Sequence, residues 1–204
     1  CFYMLTNKTR KEGLLSLEDL IENPESNPSI FTERITNDHH LLEFICDNLR
    51  LMITGVEVHQ LEELMDQLFA TPHHSDEHTP VSTIQTMADG LPAFGIVAAV
   101  MGVVHTMELV GAPPAVMGKA IAAALVGTFV GILLSYGFVG PVGALMAQRA
   151  EMTANLYRCA QKGLICCAKG VSPAMTAEYM RAMVSSEKRP SFKELDNLLR
   201  SNKG

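Results

Sequence analysis

The densest group of metal-binding residue types is His73, His74, Asp76, Glu77 and His78, in a stretch bounded by Pro72 and Pro80. Imidazole and carboxylate groups are the material of a metal site, but an ion needs donors that converge on it from different directions. Neighbouring residues in a proline-bounded loop rarely do so, and the segment reads as a solvated linker. Cys1, Cys46, Cys159, Cys166 and Cys167 contain no Cys-x-x-Cys spacing, which argues against a zinc ribbon or a disulfide-stapled secreted domain. Cys166 and Cys167 would point different ways on a helix and read as packing residues. There is no nucleophile, base and orienting group at a recognisable spacing, and no phosphate-binding loop. The chain is read as non-enzymatic, with no metal and no cofactor.

The distribution of charge is more informative than any cluster. The 204 residues carry 16 Lys+Arg and 22 Asp+Glu, net −6, an acidic balance that argues against general nucleic-acid binding. Residues 1–90 hold 5 basic and 16 acidic side chains, net −11. Residues 91–147 hold only Glu108 and Lys119, and residues 148–204 are net +5. From Leu91 to Met107 the only titratable group is His105, and from Ala120 to Gln148 only Tyr136. About 20 apolar residues cross a bilayer as a helix, so two membrane helices are expected, at about 91–110 and 120–147. The fold class is therefore an all-α polytopic membrane protein with helical flanks.

Arg149, Arg158 and Lys162 follow the second span, and the positive-inside rule places that end in the cytoplasm. Two spans return residues 1–90 to the same side, and free thiols suit that reducing compartment. The expected organisation is a cytoplasmic helical loop domain at 1–90, the two spans within 91–147 and a cytoplasmic helical tail at 148–204. Cys1-Phe2-Tyr3-Met4-Leu5 followed by Lys8, Arg10 and Lys11 reads as the tail of another membrane helix. With no starting Met and no signal peptide, the chain is expected to begin inside a longer protein.

The spans are rich in small residues: Ala93, Gly95, Ala98, Ala99 and Gly102 in the first, then Ala122–Ala124, Gly127, Gly131, Gly137, Gly140 and Gly143. Such residues let helix backbones approach closely where lipid supplies no hydrophobic drive, which predicts a multi-helix or multi-subunit assembly. Pro92 is expected at the start of the first span, where a missing N–H costs little. Pro141, inside the second, should leave the Gly137 carbonyl without its donor and bend the helix, as a static kink or a hinge. Thr128, Ser135 and Tyr136 are the polar side chains of the second span; such hydroxyls either bond their own helix backbone or line a hydrated path. Neither Leu91–Met107 nor Ala120–Gln148 holds a carboxylate, so an ion-binding group must come from elsewhere.

Helical spacing at Leu41, Leu42, Ile45, Leu49 and Met52 follows the capping residues Asn37 and Asp38; Val58, Leu61, Leu64, Met65 and Leu68 repeat it up to Pro72. Arg149 to Cys167 should extend the second span. Ser172-Pro173 opens a further helix, and Ser191 to Glu194 is a capping box before Leu195, Leu198 and Leu199.

The run Ala88-Asp89-Gly90-Leu91-Pro92-Ala93-Phe94-Gly95 through Val103-Val104-His105 resembles the third membrane helix of the MotA family of flagellar motor stator proteins. Val126 to Leu134 and Tyr136 to Pro141 look like its fourth. Ser185 to Phe192 resembles its C-terminal signature, and Ser16-Leu17-Glu18 with Ile21-Glu22-Asn23-Pro24 its cytoplasmic loop. The resemblance covers nearly the whole chain, but the family's first two membrane helices are not in it.

The resemblance implies a homopentameric ring around two peptidoglycan-anchored MotB-like chains in the bacterial inner membrane. Ion flow past a MotB aspartate would drive the ring against the rotor protein FliG. It further implies that Arg10 and Glu18 engage charged FliG residues, that Pro92 and Pro141 serve conformational coupling, and that Thr128 faces the ion path. Arg10 and Glu18 are eight residues apart, so one helix through both would show them on one face. The wording of the first span is closer to proton-driven than to sodium-driven members. The alternative is an ExbB- or TolQ-like energiser of outer-membrane transport; those relatives lack the Arg10–Glu18 pattern and the closing Arg189-Pro190-Ser191-Phe192.

Overall fold

The computed structural model describes residues 1–70 and 78–201, in which every regular element is helical. Two compact units emerge, Cys1–Thr71 with Thr153–Gly204, and Pro72–Met152.

In the first unit, α1 (Phe2–Glu12) stops because Gly13 takes φ 85° and ψ 170°, a backbone region open essentially to glycine alone. A 3₁₀ turn (Leu14–Leu17) and the short helix α2 (Glu18–Glu22) follow. The one helix that would have shown Arg10 and Glu18 on a single face does not form: they belong to different helices separated by the glycine break. A second 3₁₀ turn (Pro24–Ser26) and α3 (Glu33–Thr36) lead to α4 (His39–Ile53), whose start is capped as expected: Asp38 Oδ1 accepts the Leu41 N–H at 3.1 Å. Helix α5 (Val58–Ala70) buries Leu61 and Met65 completely.

These elements share one core with residues 157–167 of a later helix. Leu5, Leu17, Leu49, Leu61, Met65 and Leu164 are all 0% exposed, each burial contributing about 1.5–3 kcal/mol. Phe44 and Tyr157 meet edge-on at 5.5 Å, and Phe69 stands within 6.4 Å of Tyr157. Gly163 is needed because a Cβ there would come within 2.5 Å of the Phe2 ring. Cys166 and Cys167 are buried, the latter with Sγ 3.3 Å from Thr9 Oγ1, and all five cysteines are free thiols.

The second unit contains α6 (His78–Met107) and α7 (Pro114–Leu134), a π-helical turn (Ser135–Val139), and the first part of α8 (Gly140–Ala168), whose later residues belong to the first unit. Runs Pro80–Met107 and Pro114–Ala168 are long and apolar enough to cross a membrane. Phe94, Phe129 and Phe138 are at least 60% exposed on their surfaces, a distribution suited to lipid or neighbouring helices rather than water.

At the C-terminal end, α9 (Pro173–Met183) begins at the Ser172 cap and α10 (Phe192–Ser201) at a two-way capping box, with Ser191 N–H bonded to Glu194 Oε2 at 2.7 Å and Glu194 N–H to Ser191 Oγ at 3.3 Å. The Arg189 guanidinium donates to the carbonyls of Val184 (3.0 Å) and Ala182 (2.9 Å), satisfying acceptors that α9 leaves open at its end. Arg181 donates to the Pro190 carbonyl and to Glu178, and that bond holds the Glu178 carboxyl below the ordinary carboxylate range. Arg189→Ala is expected to remove about 0.5–1.5 kcal/mol locally. Amide hydrogen exchange over residues 182–190 should then quicken while α4 keeps its protection.

Candidate functional site

The residues that meet between α6 and α7 are mostly glycine and alanine. A Cβ on Gly95 would lie 2.9 Å from the Gly127 carbonyl oxygen, one on Gly131 2.7 Å from that of Leu91, and one on Gly102 2.4 Å from the Ala124 Cβ. No larger residue fits unless the helices separate. The small-residue pattern thus works inside one chain, closing the hairpin. The outward surfaces of α6 and α7 carry the large apolar side chains instead.

Two hydroxyls bridge this contact. Thr128 Oγ1 donates to the Gly95 carbonyl at 3.2 Å, and Ser135 Oγ donates to the Ala88 carbonyl at 2.6 Å. From sequence these hydroxyls are open to bonding their own backbone or lining a hydrated path; each donates to a carbonyl of the opposite helix. Ser135 is 1% exposed and Thr128 half-buried. The inter-helix bonds were not legible because both acceptors are backbone carbonyls, which every residue carries.

The prolines occupy unlike positions. Helix α6 begins at His78 rather than near Leu91, so Pro92 is not at a first turn but well inside the helix. The polar residues Ser82, Thr83, Gln85, Thr86 and Asp89 are helical too, because helix geometry requires only that their backbone groups pair in sequence. Pro141 follows the π turn, where the Gly140 N–H donates to the Ser135 carbonyl, five residues back instead of four. The missing donor at Pro141 is thus preceded by a widened turn, the kind of irregularity that marks functional positions in helices. Gly140 permits it: a Cβ there would stand 3.0 Å from the Ser135 carbonyl oxygen.

Arg10, near the end of α1, and Glu18, first residue of α2, are both exposed, and neither joins an ion pair among the described residues. They present charge to solvent from either side of the Gly13 break. His73, His74, Asp76 and Glu77 lie outside the described residues, and His78 opens α6. No cluster of three metal-binding side chains occurs among the described residues.

Comparison with known proteins places this geometry in context. The profile of the MotA/TolQ/ExbB proton channel family matches residues 36–159. Motility protein A of Salmonella typhimurium is 42% identical over 202 residues, covering 98% of this chain and 68% of that protein. Motility protein A of Escherichia coli is 42% identical over 204 residues, with the same coverage. Among solved structures, C. jejuni MotAB superposes with a TM-score of 0.76 at 18% identity, covering 94% of this chain and 68% of that one. That likeness concerns the fold; the chain spans about two thirds of the length of each of these proteins.

The contact predicts a contrast between two glycines of α7. Gly131→Ala should force the helices apart at the Leu91 carbonyl and cost about 1–3 kcal/mol, whereas Gly118, with nothing within 4 Å of its would-be Cβ, should tolerate alanine or gain up to about 1 kcal/mol. The thermal midpoints of the two detergent-solubilised variants measure this directly.

Proposed function

The chain belongs to the MotA/TolQ/ExbB proton channel family, and from that premise we propose how it works as a flagellar motor stator subunit. Five copies surround a MotB-like partner, protons pass at the boundary between the two proteins, and the resulting motion of the ring pushes on the rotor protein FliG. Both aqueous flanks lie in the cytoplasm, following the basic residues Arg149, Arg158 and Lys162 after the second span.

The observation that carries this reading is that the apolar stretches of the two helices hold no acid of their own. No Asp, Glu, Lys or Arg lies between Leu91 and Met107 or between Ala120 and Gln148. A proton moving through an apolar layer needs a group that binds and releases it. A partner helix must supply that carboxylate, and the solved structures of similar fold are of MotAB complexes. The ExbB- or TolQ-like alternative gives way to the stator reading on the 42% identity to two motility proteins.

The chain's own residues divide the work. Thr128 faces the path with the hydroxyl lone pairs left over after it donates to Gly95. Pro92 and Pro141 interrupt their helices where motion is to be converted. Arg10 and Glu18 meet complementary charges on FliG, where long-range attraction sets register and encounter rate.

The test is motility of a stator-null flagellated host given the full-length gene and its cognate partner. Swimming that ignores sodium and stops when the proton gradient collapses is the expected result; sodium dependence overturns the choice of ion, and no swimming despite an assembled complex overturns the stator reading once the partner is matched to the host. In the same cells, Arg10→Glu or Glu18→Arg should impair swimming and a reversed FliG charge should partly restore it; equal loss with every FliG charge counts against the contact. For the path, Thr128→Val should lower proton flux more than Thr128→Ser, and equal fluxes would remove Thr128 from it.

A further inference from the structure

We propose that Ser135 is a positioning residue for ion-driven motion: its hydroxyl replaces the N–H that Pro92 lacks and so pins the π turn ahead of Pro141 to the helix that carries Pro92. The motional part rests on the stator reading above; the bond itself does not.

In an α-helix the carbonyl of residue 88 accepts the N–H of residue 92. Residue 92 is proline, inside α6, so the Ala88 carbonyl has lost that donor. Ala88 is 2% exposed and Ser135 1%, and water has little access to repair the loss. The Ser135 hydroxyl fills the vacancy at 2.6 Å. Thr128 provides a control within the same hairpin. Its acceptor, the Gly95 carbonyl, has its ordinary donor at Ala99, and the bond is longer at 3.2 Å. One hydroxyl adds a second bond to a satisfied carbonyl, while the other supplies a bond the helix is missing.

Ser135 is also the first residue of the π turn, and its carbonyl accepts from Gly140. One residue therefore ends the regular run of α7, anchors the widened turn and ties that point to α6. Both prolines are linked through it: Pro92 exposes the acceptor, and Pro141 follows the turn that Ser135 begins. A helix interrupted by a π turn and a proline can change shape on the far side only if the near side is held. The hydroxyl holds it.

A double-mutant cycle on the full-length complex tests this. Ser135→Ala should lower the thermal midpoint of the detergent-solubilised complex by about 2–5 °C. In a Pro92→Ala background the shift should largely vanish, because the helix backbone then donates to Ala88 itself. Equal shifts in both backgrounds would overturn the proposal. Ser135→Thr keeps the donor and should hold the parental midpoint; a midpoint as low as that of Ser135→Ala would also overturn it. In cells, Ser135→Ala complexes present at parental levels should deliver about two- to fivefold less torque per complex, with Ser135→Thr restoring it. Parental torque from Ser135→Ala removes the motional role. A parental protein that assembles but drives no motility sinks the stator reading and leaves the thermal cycle to decide the bond.

Discussion

Backbone-to-backbone approach between α6 and α7 is the constraint on which the rest of the membrane unit depends. Lipid is as apolar as leucine, so two helices gain little by hiding leucine from it. They gain by close van der Waals contact and by hydrogen bonds that lipid cannot offer. Gly95, Gly102, Gly127 and Gly131 bring carbonyl oxygens within reach of the opposite helix, and only then can the short side chains of Thr128 and Ser135 bridge to Gly95 and Ala88. The outward surfaces are left free to carry Phe94, Phe129 and Phe138. A hairpin closed by its smallest residues keeps its largest for other helices and lipid.

The same constraint changes what proline does here. In water, a carbonyl deprived of its N–H partner is solvated at little cost; inside an apolar hairpin it must find another donor. At Pro92 that donor is the Ser135 hydroxyl, and at Pro141 the chain inserts a π turn before the interruption. Two irregularities on two helices thereby become a single connected feature of the hairpin. In a protein whose work is to convert ion movement into motion, irregular but satisfied backbone is a suitable place for a shape change, since its alternatives differ by few bonds.

The aqueous unit is organised on another principle. Its core is conventional, with Leu5, Leu17, Leu49, Leu61 and Leu164 shielded completely, and water provides the drive that lipid does not. Its termini are secured by named polar contacts: Asp38 on α4, Ser172 on α9, the Ser191–Glu194 box on α10 and Arg189 over the end of α9. The closing Arg-Pro-Ser-Phe motif thus has a local structural explanation in addition to its resemblance to a family signature. Arg10 and Glu18 lie on this unit's surface, unengaged by ion pairs among the described residues, which is how side chains meant for an external partner would be left.

The sequence by itself determined the all-α class, the two spans, the absence of a carboxylate from Leu91–Met107 and Ala120–Gln148, and the positions of three helix caps. Those properties follow from composition and from contacts three or four residues apart, which a linear reading contains. Only the tertiary structure decided that Pro92 lies within a helix, that Gly13 separates Arg10 from Glu18, and that Gly95, Gly102, Gly127 and Gly131 close the hairpin on itself. It alone decided that Ser135 bonds Ala88 across 47 positions. Each of these turns on which backbone carbonyl faces which hydroxyl, or on a single glycine's φ. Carbonyls are common to every residue, and a glycine in sequence permits a break without requiring one. The side chains announced the layers; the backbone, silent in sequence, decided how they join.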